Sequence, residues 1–292
     1  MRVGKFNSLQ AQSDFDVVYA AGMRMLPTPA VTHDVVTDFG SVRVYRFGPE
    51  EGAPIVLLPG RAGTAVMWQP NLTTLAEHHP VFVVEPLGEP GRSTQTASLS
   101  GGADQAAWLH AVLTGLDLDG VHLVGHSFGG WLACNYAVRS SDRLATLTLL
   151  DPVNTLGRFP VALLFRSALA ALPLVSKWGR PSFVKWINGG VPPSDDDPVA
   201  AVIQAGMRDY QMAAPMPEYI NDDQLRSITI PVLVLVAGRS VMHDPKAAHT
   251  RARSLIPDVQ AELWATSTHS LPSESPVEVN TSLLGFVDRI AV

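Results

Sequence analysis

Residues 121–137 read VHLVGHSFGGWLACNYA. The opening VHLVG is apolar at successive positions, as in a strand buried on both faces. From Phe128 onward the apolar residues recur at helical spacing, through about residue 139. Between them stands Gly125-His126-Ser127-Phe128-Gly129, a G-x-S-x-G at a strand-to-helix turn. Such a turn forces its central serine into a strained backbone conformation and lifts the hydroxyl above the sheet edge. The flanking glycines leave room for the turn to close. The helix N-terminus behind it supplies positive potential and free N–H groups where an oxyanion would develop.

Outward from this turn, strand and helix patterns alternate. Residues 34–38 and 41–46 alternate with period two around Gly40-Ser41 and predict a hairpin. Runs apolar on both parities follow at 54–59, 80–86, 121–125, 144–150, 231–237 and 259–265. Helical spacing fills 67–78, 103–116, 128–139, 245–256 and 276–289. Eight strands alternating in this way with helices predict an α/β fold, a mostly parallel sheet covered on both faces. Residues 153–226 break the rhythm, being far longer than a crossover requires. Apolar helical patterns there (Phe159 to Leu172, Phe183 to Ile187, Val199 to Tyr210) are punctuated by prolines, among them Pro173, Pro181, Pro192 and Pro193. The stretch reads as an inserted helical cap, with residues 1–152 and 227–292 forming the core. Its acidic run Asp195–Asp197 reads as a solvated helix start, since three consecutive side chains cannot converge on one ion from a helix.

Composition removes several function classes. Net charge is −6, and the pI is near 5.8, which argues against a general nucleic-acid surface. One cysteine, Cys134, excludes a disulfide framework and a cysteine metal site. No run approaches the ~18 apolar residues of a membrane span. MRVGKFNSLQ has no apolar stretch behind its positive charges, so no secretory signal is expected and the chain reads as cytoplasmic. Charged residues make up 16%, below the ~25% of an ordinary soluble domain, and mean hydropathy is +0.14.

A serine hydroxyl is inert near neutral pH without a base. His269 lies on a loop after the last strand, where a parallel sheet delivers its carboxyl-end loops to the serine's edge. It is the chosen base among nine histidines. His78 and His79 at a helix end read as surface residues, and His110 and His122 as structural. His126 adjoins the serine, but adjacent residues at such an elbow point apart. His33 and His249 have no supporting context, and His243 reads as shaping its loop. The base needs an acid to fix its tautomer. Two aspartates end strands in the order serine, acid, histidine: Asp244 and Asp151. Asp244, on the strand nearer His269 in sequence, is preferred, although the usual acid position three residues after the loop glycine holds Val241. The oxyanion donors expected are the backbone N–H groups of Phe128 and of Arg61, the latter in Pro59-Gly60-Arg61-Ala62-Gly63-Thr64. The Arg61 guanidinium could instead face the pocket and attract an anionic substrate group.

These residues together resemble the α/β-hydrolase superfamily, and within it the cap-bearing carboxylesterases. The resemblance spans nearly the whole chain: VLLPGRAG before Trp68, EPLGEPGRS (85–93), GHSFGGW (125–131), LLDP (149–152), GRSVMHDP (238–245) and THSLPSESP (268–276). The loop at 238–245 is similar to that of bacterial carboxylesterases acting on aryl-propionate esters. That subfamily implies Ser127, Asp244 and His269 as the triad and no cofactor or metal. One departure stands out: the superfamily's oxyanion segment usually begins His-Gly. Here it is Pro59-Gly60, so the hydrogen bonds that a histidine would make are missing. The expected reaction is two-step acyl transfer on a small hydrophobic ester, by a monomer or homodimer bound to neither nucleic acid nor membrane. The apolar cap residues Leu156, Phe159, Leu163, Leu164, Phe165, Trp178, Phe183, Trp186, Met207 and Met212 point to a hydrophobic substrate. A carbon–carbon bond hydrolase, lactonase, thioesterase, amidase or acyltransferase would share the same residues. A ligand-binding protein on the same shell is the alternative from another class.

Overall fold

The computed structural model describes residues 2–162, 166, 182, 185–187, 189–190 and 197–290. A short strand β1 (Lys5–Phe6) and helix α1 (Leu9–Met23) precede the hairpin β2 (Val31–Thr37) and β3 (Gly40–Phe47). The alternation then begins: β4 (Ile55–Leu58), α2 (Gln69–Ala76), β5 (Val81–Val84), β6 (Thr94–Gln95), α3 (Gly102–Gly115), β7 (Val121–His126), α4 (Phe128–Ala137) and β8 (Leu144–Leu150). After the long interval come α5 (Pro198–Asp209), β9 (Tyr210–Gln211), α6 (Asp222–Arg226), β10 (Val232–Ala237), α7 (Pro245–Leu255) and β11 (Val259–Trp264). Helices α8 (Leu271–Glu274) and α9 (Pro276–Ile290) close the chain.

The main sheet runs β11-β10-β8-β7-β4-β5-β3-β2, with β6 paired to β3. It therefore has nine strands where the sequence predicts eight. The ninth, β6, is two residues long, too short to carry a periodic signal. Strand β3 is antiparallel to β2, β5 and β6; the other pairs are parallel.

Apolar residues on both parities serve two cores. Val56, Leu58, Leu123, Leu147 and Val234 face Trp108, Leu109, Trp131 and Leu132 of α3 and α4. Ile55, Leu57, Val124, Leu233 and Leu235 face Leu72 of α2 and Val279, Leu283 and Phe286 of α9. The central strands β4, β7 and β10 thus bury both faces, which is why their sequences are apolar on both parities rather than alternating.

Helix α1 gives little sequence signal, because it buries only Phe15, Tyr19 and Gly22. Phe15 and Tyr19 pack with Val66 and with Val202 and Ala205 of α5, and β1 pairs antiparallel with β9. The N-terminal segment is therefore clasped to part of the 153–226 region. Asp197 caps α5, accepting a hydrogen bond from the Val199 N–H ahead of Pro198, as a helix start should. Leu163, Leu164, Phe165, Trp178, Phe183, Asp195 and Asp196 lie outside the described residues, as do Pro173, Pro181, Pro192 and Pro193. One histidine expectation changes. His79 is buried, with Nδ1 3.1 Å from the Ala53 carbonyl oxygen and Nε2 3.3 Å from Asp288 Oδ1, because the chain turns inward from α2 to β5.

Candidate active site

Strand β7 ends at His126 and α4 begins at Phe128, leaving Ser127 alone in the turn with φ 56° and ψ −115°. This left-handed conformation is unfavourable for a side-chain-bearing residue and persists only where the surroundings enforce it. The glycines show how. A methyl group on Gly125 would lie 2.1 Å from the Gly129 carbonyl oxygen, and one on Gly129 would lie 2.1 Å from that of Leu58. A methyl group on Gly130 would lie less tightly, 2.9 Å from Pro152 Cβ. The serine N–H donates to the Leu150 carbonyl at 3.0 Å, fastening the turn to the neighbouring strand.

Ser127 Oγ lies 2.8 Å from His269 Nε2, and His269 Nδ1 lies 2.6 Å from Asp151 Oδ2. All three residues are buried. The Nδ1–H donates to the carboxylate, which leaves Nε2 as a lone pair facing the hydroxyl. An imidazole so placed can take the serine proton as the oxygen attacks a carbonyl, and return it to a leaving group.

Asp244 is not part of this series. It is exposed and caps α7, its carboxylate accepting from the Ala247 N–H at 3.0 Å. The preference for Asp244 is thereby corrected, and the physical reason is the distance of each aspartate from its strand end. Both β8 and β10 lie between the serine strand and the strand before His269, but Asp151 directly follows the last residue of β8, whereas Asp244 lies beyond a loop after β10 and opens the next helix. Nearness in sequence to His269 said nothing about this. The Asp244-Pro245 pair was itself a helix-start signature, which accounts for that carboxylate without chemistry.

Asp151 has a positive φ of 43° and is fully buried. Its Oδ1 accepts from the Ala237 N–H at 3.1 Å, and its Oδ2 accepts from the Ser240 hydroxyl at 2.6 Å. His243 Nε2 stands 3.2 Å from Oδ1, both side chains being buried. Burial alone would raise the Asp151 carboxyl. The imidazoles of His243 and His269 outweigh that and hold it well below the usual carboxylate range. Position 241 holds valine, so the loop after β10 contributes a serine to the acid rather than the acid itself.

Sequence reasoning missed what His126 does. Its Nε2–H donates to the backbone carbonyl of His269 at 2.7 Å, and the two rings lie 4.8 Å apart. Burial, and then the adjacent His269 imidazole, push His126 down to about 3, so it is neutral at working pH. The loop is gripped from its other side by Glu274, whose carboxylate accepts from Thr268 N at 2.9 Å and from the Thr268 hydroxyl.

On the opposite flank, β4 runs beside β7 and delivers Gly60 over the serine. A methyl group at Gly60 would stand 3.3 Å from Ser127 Cβ and 3.7 Å from its Oγ. Phe128 opens α4, so its N–H has no partner within the helix. The N–H of Arg61 has no hydrogen-bond partner among the described residues. Both expected donors thus flank the serine uncommitted. The Arg61 guanidinium, considered from sequence as an attractor of an anionic substrate group, is engaged by protein partners. It pairs with Glu89 at 3.0 Å, donates to the Pro215 carbonyl at 2.9 Å and lies 4.6 Å above the Phe128 ring.

The fold and this elbow define a class: the chain has the α/β-hydrolase fold. A family model described as the alpha/beta hydrolase fold matches residues 53–189. Within the class, the likeness is to bacterial carboxylesterases. The chain is 26% identical to carboxylesterase YbfK of Bacillus subtilis, over 97% of this chain and 96% of that protein. It is 29% identical to the uncharacterized carboxylesterase nap of the same species, over 92% and 90%. The crystal structure of naproxen esterase from Bacillus subtilis superimposes with a TM-score of 0.85 at 26% identity, covering 96% of this chain and 99% of that one.

Proposed function

We propose that this protein is a carboxylesterase that hydrolyses a small hydrophobic carboxylic ester through an acyl-enzyme on Ser127. The observation that carries the reading is the continuous series Ser127 Oγ, His269 and Asp151, with links of 2.8 and 2.6 Å. The carboxylesterase relatives support it. His269 Nε2 takes the Ser127 proton as Oγ bonds to the ester carbonyl carbon. The carbonyl oxygen becomes an oxyanion held by the N–H groups of Arg61 and Phe128. Asp151 stabilises the imidazolium, which then protonates the departing alkoxide as the C–O bond breaks. A water enters, gives its proton to His269, and releases the acid by the same steps in reverse.

Residues 153–226 act in this reading as a cap over the pocket. Leu156 is buried against the core, and Phe159 and Trp186 pack on it, so the roof they begin is apolar. Met212 approaches Arg61, its Sδ 3.9 Å from Nη1, at the edge of the oxyanion loop. A hydrophobic acyl or alcohol group suits such a roof. No helix among the described residues is long and apolar enough to cross a membrane. A cytoplasmic monomer or homodimer completes the proposal.

The test is labelling with a fluorophosphonate probe, followed by kinetics on p-nitrophenyl esters of increasing chain length plus one lactone, one thioester and one amide. Wild type should label and Ser127→Ala should not. Failure of wild type to label would sink the reading, and faster turnover of the lactone, thioester or amide than of any ester would replace its substrate class.

A further inference from the structure

Outside the serine, histidine and aspartate, the charged group bound directly to the oxyanion segment at Arg61 and Ala62 is Glu89. It lies in the loop after β5, its side chain has no exposure, and each carboxylate oxygen has a separate task. Oε1 accepts from Arg61 Nη1 at 3.0 Å, and Oε2 accepts from the backbone N–H of Ala62 at 2.9 Å. Both partners adjoin the Arg61 N–H: the Arg61 side chain springs from the Cα next to it, and the Ala62 N–H is the next amide along the chain.

That segment needs holding. Ala62 has φ 55°, a left-handed conformation that costs a residue with a side chain about 1 kcal/mol or more. It follows Gly60, which packs on Ser127. The remaining arms of Arg61 are also fixed, on the Pro215 carbonyl and over the Phe128 ring. Phe128 supplies the second N–H proposed for the oxyanion, so the guanidinium bridges the two donor residues. Removing the carboxylate frees the Ala62 amide and the Arg61 side chain together.

We propose that Glu89 is a positioning residue for oxyanion stabilisation: its two-pronged grip on Arg61 and Ala62 aims the Arg61 N–H at the oxygen that becomes charged. The inference rests on the serine-esterase reading above. A bound substrate carbonyl gains only modestly from a well-aimed N–H, whereas the oxyanion gains fully. Loosening the grip therefore acts on kcat more than on KM.

The experiment compares Glu89→Gln and Glu89→Ala with wild type, using active-site titration to count folded sites. Glutamine keeps one acceptor for Ala62 and loses the ion pair; alanine loses both. The expected fall in kcat/KM per titrated site is about tenfold for Glu89→Gln and about a hundredfold for Glu89→Ala, with KM within about threefold. The inhibition constant of a trifluoromethyl ketone, which forms a tetrahedral oxyanion on the serine, should rise by the same factors. A non-reactive substrate analogue should bind as before. Unchanged kcat and ketone affinity per titrated site, with only a lowered melting temperature, would overturn the inference and leave Glu89 a packing residue. Should Glu89→Ala not fold, Glu89→Gln carries the same decision. Fluorophosphonate labelling of Ser127→Ala at the wild-type rate would instead overturn the serine-esterase reading itself, and the inference with it.

Discussion

Replacing Asp151 by asparagine should be the most damaging change outside the serine and histidine. The carboxylate is fully buried and receives His269 Nδ1 at 2.6 Å. Asparagine keeps the shape, removes the charge, and can turn its NH2 toward Nδ1. The imidazole would then carry its proton on Nε2, where the serine proton must go. In serine proteases this exchange of acid for amide lowers kcat about 10⁴-fold, or about 5 kcal/mol of barrier. Burial here leaves no water to screen or replace the lost charge, so a loss of the same order is expected. The control is Asp244, exposed and committed to capping α7. Asparagine caps a helix as well as aspartate does, so Asp244→Asn should change stability by less than about 0.5 kcal/mol. Alanine there should cost about 1 kcal/mol of stability. Neither should alter kcat by more than about twofold. Steady-state kinetics on a p-nitrophenyl ester, with urea unfolding of each variant to confirm folding, reads both quantities. If Asp244→Asn lost activity by orders of magnitude while Asp151→Asn kept it within about tenfold, the reasoning would be refuted.

Two further outcomes follow from buried groups. His122 and His126 are pushed down by burial to about 4 and about 3, from 6.5. Below pH 6.5 the unfolded chain takes up protons that the native state refuses, so stability falls as pH drops from about 6.5 towards about 4. Each such group contributes about 1.4 kcal/mol per pH unit in that window. His122→Asn should flatten the slope of urea midpoint against pH, and an unchanged slope would falsify the assignment of His122 as buried and neutral. Gly129→Ala must place a methyl group 2.1 Å from the Leu58 carbonyl oxygen. It should lower stability by about 3 kcal/mol and slow fluorophosphonate labelling; a variant equal to wild type in both would show that the elbow is looser than its geometry requires.

Most of the architecture is legible along the chain. Apart from β6, the strands of the main sheet are marked by alternation in the β2–β3 hairpin and by apolar runs elsewhere, and α2, α3, α4, α7 and α9 by helical spacing within a few residues of their ends. Those signals survive because burial on both faces, or on one stripe, is imposed locally and repeats at every turn or pair of residues. Helix α1 escaped because its buried stripe, Phe15, Tyr19 and Gly22, is thin and is blurred by exposed apolar residues such as Leu9 and Val17. The serine was legible because the elbow demands glycines at fixed offsets, and the histidine because it occupies the last carboxyl-end loop.

The acid and the supports of the oxyanion loop were of another kind. Asp151 and Asp244 both follow strands in the required chain order; the Asp244-Pro245 helix start weighs against Asp244, but chain order alone does not rank them. Only the folded geometry brings Asp151, directly at the end of β8, to His269 and leaves Asp244, well past the end of β10, to cap a helix. Likewise Pro59-Gly60 announced a missing histidine, but the partners that hold the neighbouring residues, Glu89 on Arg61 and Ala62 and Met67 on Gly60, come from other segments of the chain. Periodicity and turn chemistry are properties of neighbours in sequence. The identity of a hydrogen-bond partner across a sheet is a property of strand order, which this sequence encodes only through the fold as a whole.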